Sequence, residues 1–174
     1  VTERMHTVFL RSNLYNALPT VYGDQGTFGT SSMAMLEDHQ DVMRFQVCPI
    51  GSYLIAMNER GIVDTHFRDI PMTVRQIVRM FVDMKESNEN KRWDGVSTTV
   101  RNLYTSGNLD AYVRVCHAVY ANADFDGALF GPSSKRYTSV YYEVESNHED
   151  KVLNRSGYHD FPFVVPRWDV TFED

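Results

Sequence analysis

Leu109–Tyr120 reads LDAYVRVCHAVY, and Tyr137–Ser146 reads YTSVYYEVES. In the first stretch Tyr112, Arg114, Cys116, Ala118 and Tyr120 fall on one side. Ala111, Val113, Val115, His117 and Val119 fall on the other. A period of two belongs to a strand, because successive Cβ atoms point to opposite faces. The second stretch has the same β-branched and aromatic character and predicts the antiparallel return. Between them Asn122–Ser134 (NADFDGALFGPSS) is dense in turn residues and predicts an excursion without regular structure. Val152–Tyr158 predicts a shorter strand beyond the return.

Moving outward, Thr73 is followed three residues on by Gln76, the spacing of a capping box. Val74, Ile77, Val78, Phe81, Val82 and Met84 then fill one helical face, predicting an amphipathic helix near 73–86. Upstream, residues 42–70 predict three strands in a meander: Val42–Val47, Ser52–Met57 and Ile62–Ile70. The turn tetrapeptide Asn58-Glu59-Arg60-Gly61 joins the last two, and Pro71 closes them. Residues 1–27 predict helix, with Met5, Val8, Phe9, Tyr15 and Leu18 as the apolar stripe. Pro19 is expected to start a second helix or kink the first. The glycines of Gly23–Thr30 predict a turn, and Ser31–Glu37 a strand or buried connection. A short helix is expected over Ser97–Tyr104, ending at Gly107. The order of elements gives an α+β fold with N-terminal helices and a mostly antiparallel sheet, expected as a single domain over 1–174.

Composition narrows the function classes. With 174 residues and 43% hydrophobic content the chain can bury a sizeable core without a staple. It carries 17 Lys+Arg against 23 Asp+Glu, a net charge of −6, which argues against broad binding to a phosphate backbone. Cys48 and Cys116 lie far apart and form no CxxC, so two buried thiols are expected. Val1–Leu10 (VTERMHTVFL) lacks the continuous apolar region of an intact signal peptide, and no apolar run is long enough for a helical membrane span. The chain begins with Val and keeps its apolar content to the last residues (VVPRWDVTFED), so it is expected to be a piece of a longer protein.

Catalytic chemistries find little purchase. Asp64 and His66 share a strand face and His148-Glu149-Asp150 forms a polar run, but each lacks a third metal ligand at a suitable spacing. Cys116 and His117 are adjacent on a strand and point apart, so they cannot pair as nucleophile and base. Gly23–Gly29 carries Asp24 and no GKS/T, so a backbone turn explains it better than a phosphate cradle. Asp124-Phe125-Asp126-Gly127 lacks the later ligands of a calcium loop, and turn chemistry accounts for it. No metal or cofactor is expected. The aromatics Tyr137, Tyr141, Tyr142, Phe161, Phe163 and Trp168 lack the interleaved Lys/Arg of a base-stacking surface and are expected to pack in a core or a subunit interface.

The last informative run is Gly157-Tyr158-His159-Asp160-Phe161-Pro162-Phe163-Val164-Val165-Pro166-Arg167-Trp168. Two prolines flanking an apolar core predict an extended segment at a sheet edge. This glycine and aromatic followed by P-F-x-x-P-R-W resembles a motif of the head-to-tail connecting (portal) proteins of short-tailed phages. Other segments resemble that family in the same order: Ser12-Asn13-Leu14-Tyr15, Phe28-Gly29-Thr30 with Met33–Asp38, Ile62–Arg68 with Thr73–Phe81, and Val115–Tyr120. Leu14 departs from the pattern, standing where the family often has Phe.

The resemblance implies a non-enzymatic structural protein. Its fold would be portal wing-like, and the chain would be the outer wing of a longer subunit. The parent would form an about dodecameric ring at the capsid vertex of the virion, assembled in the bacterial cytoplasm. It would meet capsid, tail or adaptor proteins and the terminase, and genomic DNA would pass through the parent's channel rather than along this piece. Gly29, Gly157, Phe161, Pro162, Phe163, Pro166, Arg167 and Trp168 would be its structural motif. Gly29 would permit a helix-to-strand turn, the prolines would fix the extended run, and Trp168 would anchor it by burial. A competing expectation is a small α+β hydrolase using Asp64, His66 or His117, which requires polar groups converging in a deep pocket.

Overall fold

The computed structural model describes residues 2–82, 93, 95–144 and 152–168. Its chain divides into two compact units. The first comprises residues 1–66 and 160–174, the second residues 67–159.

The first unit opens with helices α1 (Thr2–Arg11) and α2 (Leu14–Phe28). They lead into strands β1 (Ser32–Asp38) and β2 (Val42–Cys48), which pair antiparallel from Ser32↔Cys48 to Asp38↔Val42. Asp38 makes the turn: its Oδ1 accepts from the amides of Gln40 (2.8 Å) and Asp41 (3.1 Å), which hold its carboxyl below the usual range. Two corrections to the sequence reading arise here. Helix α2 begins at Leu14 rather than at Pro19 and continues through Pro19, Gly23 and Gly26, and the turn waits until Gly29. Pro19 removes the one N–H that would have met the carbonyl of Tyr15, a residue on the exposed side of the helix. The buried stripe is also different: Ala17 and Val21 pack with Met33 and Phe45, flanked by Phe9 and Leu14, while Met5 and Tyr15 are exposed.

Strand β3 (Tyr53–Met57) follows, then β4 (Val63–Thr73). Their turn forms as expected. Asn58 Oδ1 accepts from the amides of Arg60 (3.0 Å) and Ile62 (3.1 Å), and Gly61 takes φ +70°. The expected three-strand meander does not form, because β2 joins a separate sheet. The strand orders are β2-β1-β8 and β3-β4-β5-β6-β7. Nor does Pro71 end β4, which continues to Thr73.

In the second unit Thr73 caps a helix. Its Oγ1 accepts from the Gln76 amide (3.3 Å), and Gln76 Oε1 accepts from the Thr73 amide (2.8 Å). Helix α3 (Val74–Ile77) widens at once into π-helical turns over Val78–Val82. Val74, Ile77, Val78, Phe81 and Val82 are all buried, as their spacing predicted. Met84 and the rest of the expected helix lie outside the described residues. Helix α4 (Thr98–Thr105) starts at Ser97, whose Oγ accepts from the Val100 amide (3.2 Å). Strands β5 (Tyr112–Ala121), β6 (Tyr137–Glu143) and β7 (Val152–Tyr158) pair antiparallel, with a bulge in β6 between Tyr141 and Tyr142. The second core comprises the buried helix positions with Met72, Val100, Val115 and Leu153. Among the described residues no helix is long and apolar enough to cross a membrane.

Candidate functional site

The residues singled out near the end of the chain are held by a partner more than a hundred positions away in sequence. Strand β8 (Phe163–Val164) lies at the edge of the smaller sheet and pairs with β1 as Met33↔Val164 and Ala34↔Phe163. The same register extends in both directions. The Met35 amide donates to Pro162 O (2.8 Å), the Ser31 amide to Pro166 O (3.2 Å) and the Trp168 amide to Gly29 O (2.8 Å), and Thr30 bridges to Arg167. Residues 162–168 are thus zipped antiparallel along residues 29–35. Pro162 and Pro166 contribute only carbonyls to this ladder. That is why only two residues form a regular strand, and why the segment can sit only at an edge.

Each side chain of the motif has a definable place. Phe163 lies face to face on His66, centroids 3.7 Å apart, and Tyr53 also stacks on His66 at 5.3 Å. His66 Nε2 is 2.9 Å from Ser32 Oγ. Phe161 is tilted against Phe163 at 5.6 Å. The Arg167 guanidinium donates from Nη2 to Gly61 O (2.8 Å), tying the motif to the β3–β4 turn. Gly29 adopts φ +75° as the C-cap of α2, and its amide donates to Gln25 O (2.9 Å). An added Cβ there would touch nothing within 4 Å, so the positive φ, not crowding, calls for glycine. Gly157 lies apart in the second unit, where a Cβ would stand 2.6 Å from Lys135 Cβ and 2.7 Å from Tyr137 O.

Trp168 requires a correction. The residue is 76% exposed, so it does not anchor the segment by burial, and the cost of emptying a core site does not attach to it. Its backbone amide, through Gly29 O, is what holds this end. Asn13 is a residue whose role the sequence did not reveal. Its side-chain Nδ2 donates to Phe45 O (2.7 Å) and its Oδ1 accepts from the Phe45 amide (2.8 Å). It thereby mimics a strand neighbour on the free edge of β2, at the start of α2. Only its place in the Ser12–Tyr15 motif hinted at it.

Each group proposed for hydrolysis has surroundings of its own. His66 is buried within the aromatic stack of the first unit. His117 is buried in the second, its Nε2 2.9 Å from Ser139 Oγ and its ring stacked 4.0 Å from Tyr141. Asp64 accepts a bond from Thr65 Oγ1 (3.0 Å). Cys48 and Cys116 are both buried. Among the described residues no group of three metal-ligating side chains comes together, and His148-Glu149-Asp150 lie outside them. Of the six aromatics, the three tyrosines belong to the second unit, and Phe161, Phe163 and Trp168 to the first.

Burial pushes the Tyr141 hydroxyl up to about 12, with the nearby Tyr158 acting in the same direction. The folded value lies above the unfolded one of 10.0, so the neutral phenol stabilises the fold fully below pH 10. That stabilisation is lost as pH rises through about 12. Urea unfolding at a series of alkaline pH values is expected to lose about 3 kcal/mol across this window. Tyr141→Phe is expected to reduce the decline, the remainder coming from Tyr142, Tyr158 and Tyr53, whose hydroxyls are also pushed up; an undiminished decline would assign it wholly to those groups.

The family model for the bacteriophage head to tail connecting protein matches residues 1–174. A portal protein of Salmonella phage epsilon15 is 42% identical over 174 residues, which is all of this chain and 29% of the relative. A probable portal protein of Bordetella phage BPP-1 is 36% identical over 168 residues, 97% of this chain and 28% of the relative. The chain therefore spans less than a third of the length of these relatives. Matched along its whole length, the chain belongs to the bacteriophage head to tail connecting protein family.

Proposed function

We propose that this chain is the outer wing of a longer portal subunit. The parent assembles as a closed ring, about dodecameric, at one capsid vertex of the virion, and genomic DNA is packaged and ejected through its channel. The wing is structural and carries out no chemistry of its own. Its partners are neighbouring subunits, the capsid, the terminase and later the tail or adaptor proteins, and assembly takes place in the bacterial cytoplasm. The observation that carries this reading is the family match along the entire chain.

Physical features support it. A net charge of −6 disfavours close contact with a phosphate backbone, which leaves DNA to the remainder of the subunit. The 162–168 segment is zipped antiparallel along residues 29–35, which fixes its direction beside β1. Negative-stain electron microscopy of the full-length protein tests the reading. Rings with a central channel are expected, and a compact monomer or dimer at high concentration would overturn it.

A further inference from the structure

Two surfaces stand out among the described residues, an exposed apolar tip and a hollow of mixed polar and apolar lining. The tip belongs to the β5–β6 excursion. Phe130 is 99% exposed, and Leu129 and Phe125 beside it are exposed as well. The loop that presents them is pinned by its own hydrogen bonds. The Asn122 amide donates to Arg136 O (2.8 Å), the Asp126 amide to Ser133 O (3.0 Å) and the Leu129 amide to Asp126 O (3.1 Å). Asp126 Oδ1 accepts from the Ala128 amide (2.9 Å). A pinned loop that holds a phenylalanine in water has the form of a preorganised anchor, because little ordering entropy remains to be lost on docking.

The concave surface lies at the end of α2. Gln25, Gly26, Gly29 and Trp168 line a hollow. Tyr22, exposed, stands one turn back on the same helix face. The floor is glycine, and a Cβ at Gly23, Gly26 or Gly29 would meet nothing within 4 Å. Trp168 forms an exposed aromatic wall beside it.

We infer that the Phe130 tip of one copy docks into the Gly26–Trp168 hollow of a second copy of this chain, head to tail. This rests on the portal reading, because a closed ring needs two different, complementary patches on each subunit. Charge selects the occupant. The first unit, which holds the hollow, carries five Lys+Arg against eleven Asp+Glu. The second unit, which holds the tip, carries twelve of each. The entire net charge of −6 therefore resides on the first unit. A two-fold contact between hollows would press two strongly acidic surfaces together. Seating a neutral unit on an acidic one avoids that repulsion and repeats around a ring.

The test uses the full-length protein with Phe130→Cys and Gly26→Cys together, under mild oxidation. Both positions are exposed or open, and the two cysteines of this chain are buried; the single variants control for any thiol elsewhere in the full-length protein. The double variant is expected to give a ladder of many covalent rungs on a denaturing gel. A mixture of the two single variants is expected to stop at the dimer. Rings by electron microscopy without a ladder above that of the single variants would overturn the docking and leave the portal reading standing. A ladder from a protein that forms no rings would support the docking and overturn the ring. Loss of both would overturn both. Phe130→Asp is expected to shift the protein from rings to smaller species with an unchanged Tm; rings that persist would overturn the docking.

Discussion

Gly95→Ala is expected to destabilise the second unit by roughly 3 kcal/mol or more, the cost of a positive-φ alanine plus a backbone clash. Gly95 has φ +81°, a conformation that side chains rarely adopt. A Cβ built on it would lie 2.2 Å from Val152 O and 3.2 Å from the carbonyl carbon. Both obstacles are backbone, and Val152 is the first residue of β7, so relief requires moving a strand. Gly95 also leads into a tightly connected stretch. The Ser97 amide donates to the buried Glu143 carboxylate at Oε1 (2.9 Å), and the Ser97 hydroxyl caps α4. Shifting Gly95 therefore disturbs a helix start and the end of β6 together. Urea unfolding measures the effect, with Gly26→Ala as the control. Gly26 lies inside α2 with nothing within 4 Å of a built Cβ, so alanine there is expected to be neutral or to stabilise by up to about 1 kcal/mol. Similar midpoints for both variants would show that the chain around Gly95 yields readily.

The contrast between these glycines shows what the sequence could convey. Local signals were legible. The alternation of 111–120, the Thr73–Gln76 capping box and the Asn58–Gly61 turn each depend on neighbours within a few residues, and each formed as its spacing predicts. Elements set by distant partners were not. Nothing in Val42–Cys48 announces that it pairs with β1 rather than with β3, because its alternation suits either sheet. Gly23 and Gly26 read as turn residues, yet they remain helical. Gly95 drew no notice, because its need for glycine comes from a strand more than fifty residues away.

The candidate site divides along the same line. Its extended, edge-seeking character followed from Pro162 and Pro166 alone. Its pairing with residues 29–35 did not, and neither did the stack of Phe163 on His66. The exposure of Trp168 runs against its residue type, since a tryptophan is large and usually well buried.

Phe81→Ala is expected to cost 3–5 kcal/mol, about what an emptied aromatic core site costs. Phe81 is 2% exposed and stands in the π-helical turns that follow the capping box. Its ring is tilted on Tyr141 at 5.4 Å, and Tyr141 in turn stacks on His117 at 4.0 Å. Removing Phe81 thus empties one side of a ring that bridges helix and sheet. The loss has a spectroscopic companion. Burial holds the Tyr141 hydroxyl up near 12, so a cavity that admits water should bring its titration back toward 10.0. Phe81→Leu keeps most of the volume and is expected to cost less than about 1.5 kcal/mol with little change in that titration. Chemical denaturation gives the energies, and tyrosinate absorbance against pH gives the titration. A large loss of stability with Tyr141 unmoved would mean that the core collapses around the missing ring and stays dry. A small loss would mean that the helix is held by its cap and by Val74, Ile77 and Val82 rather than by the aromatic contact.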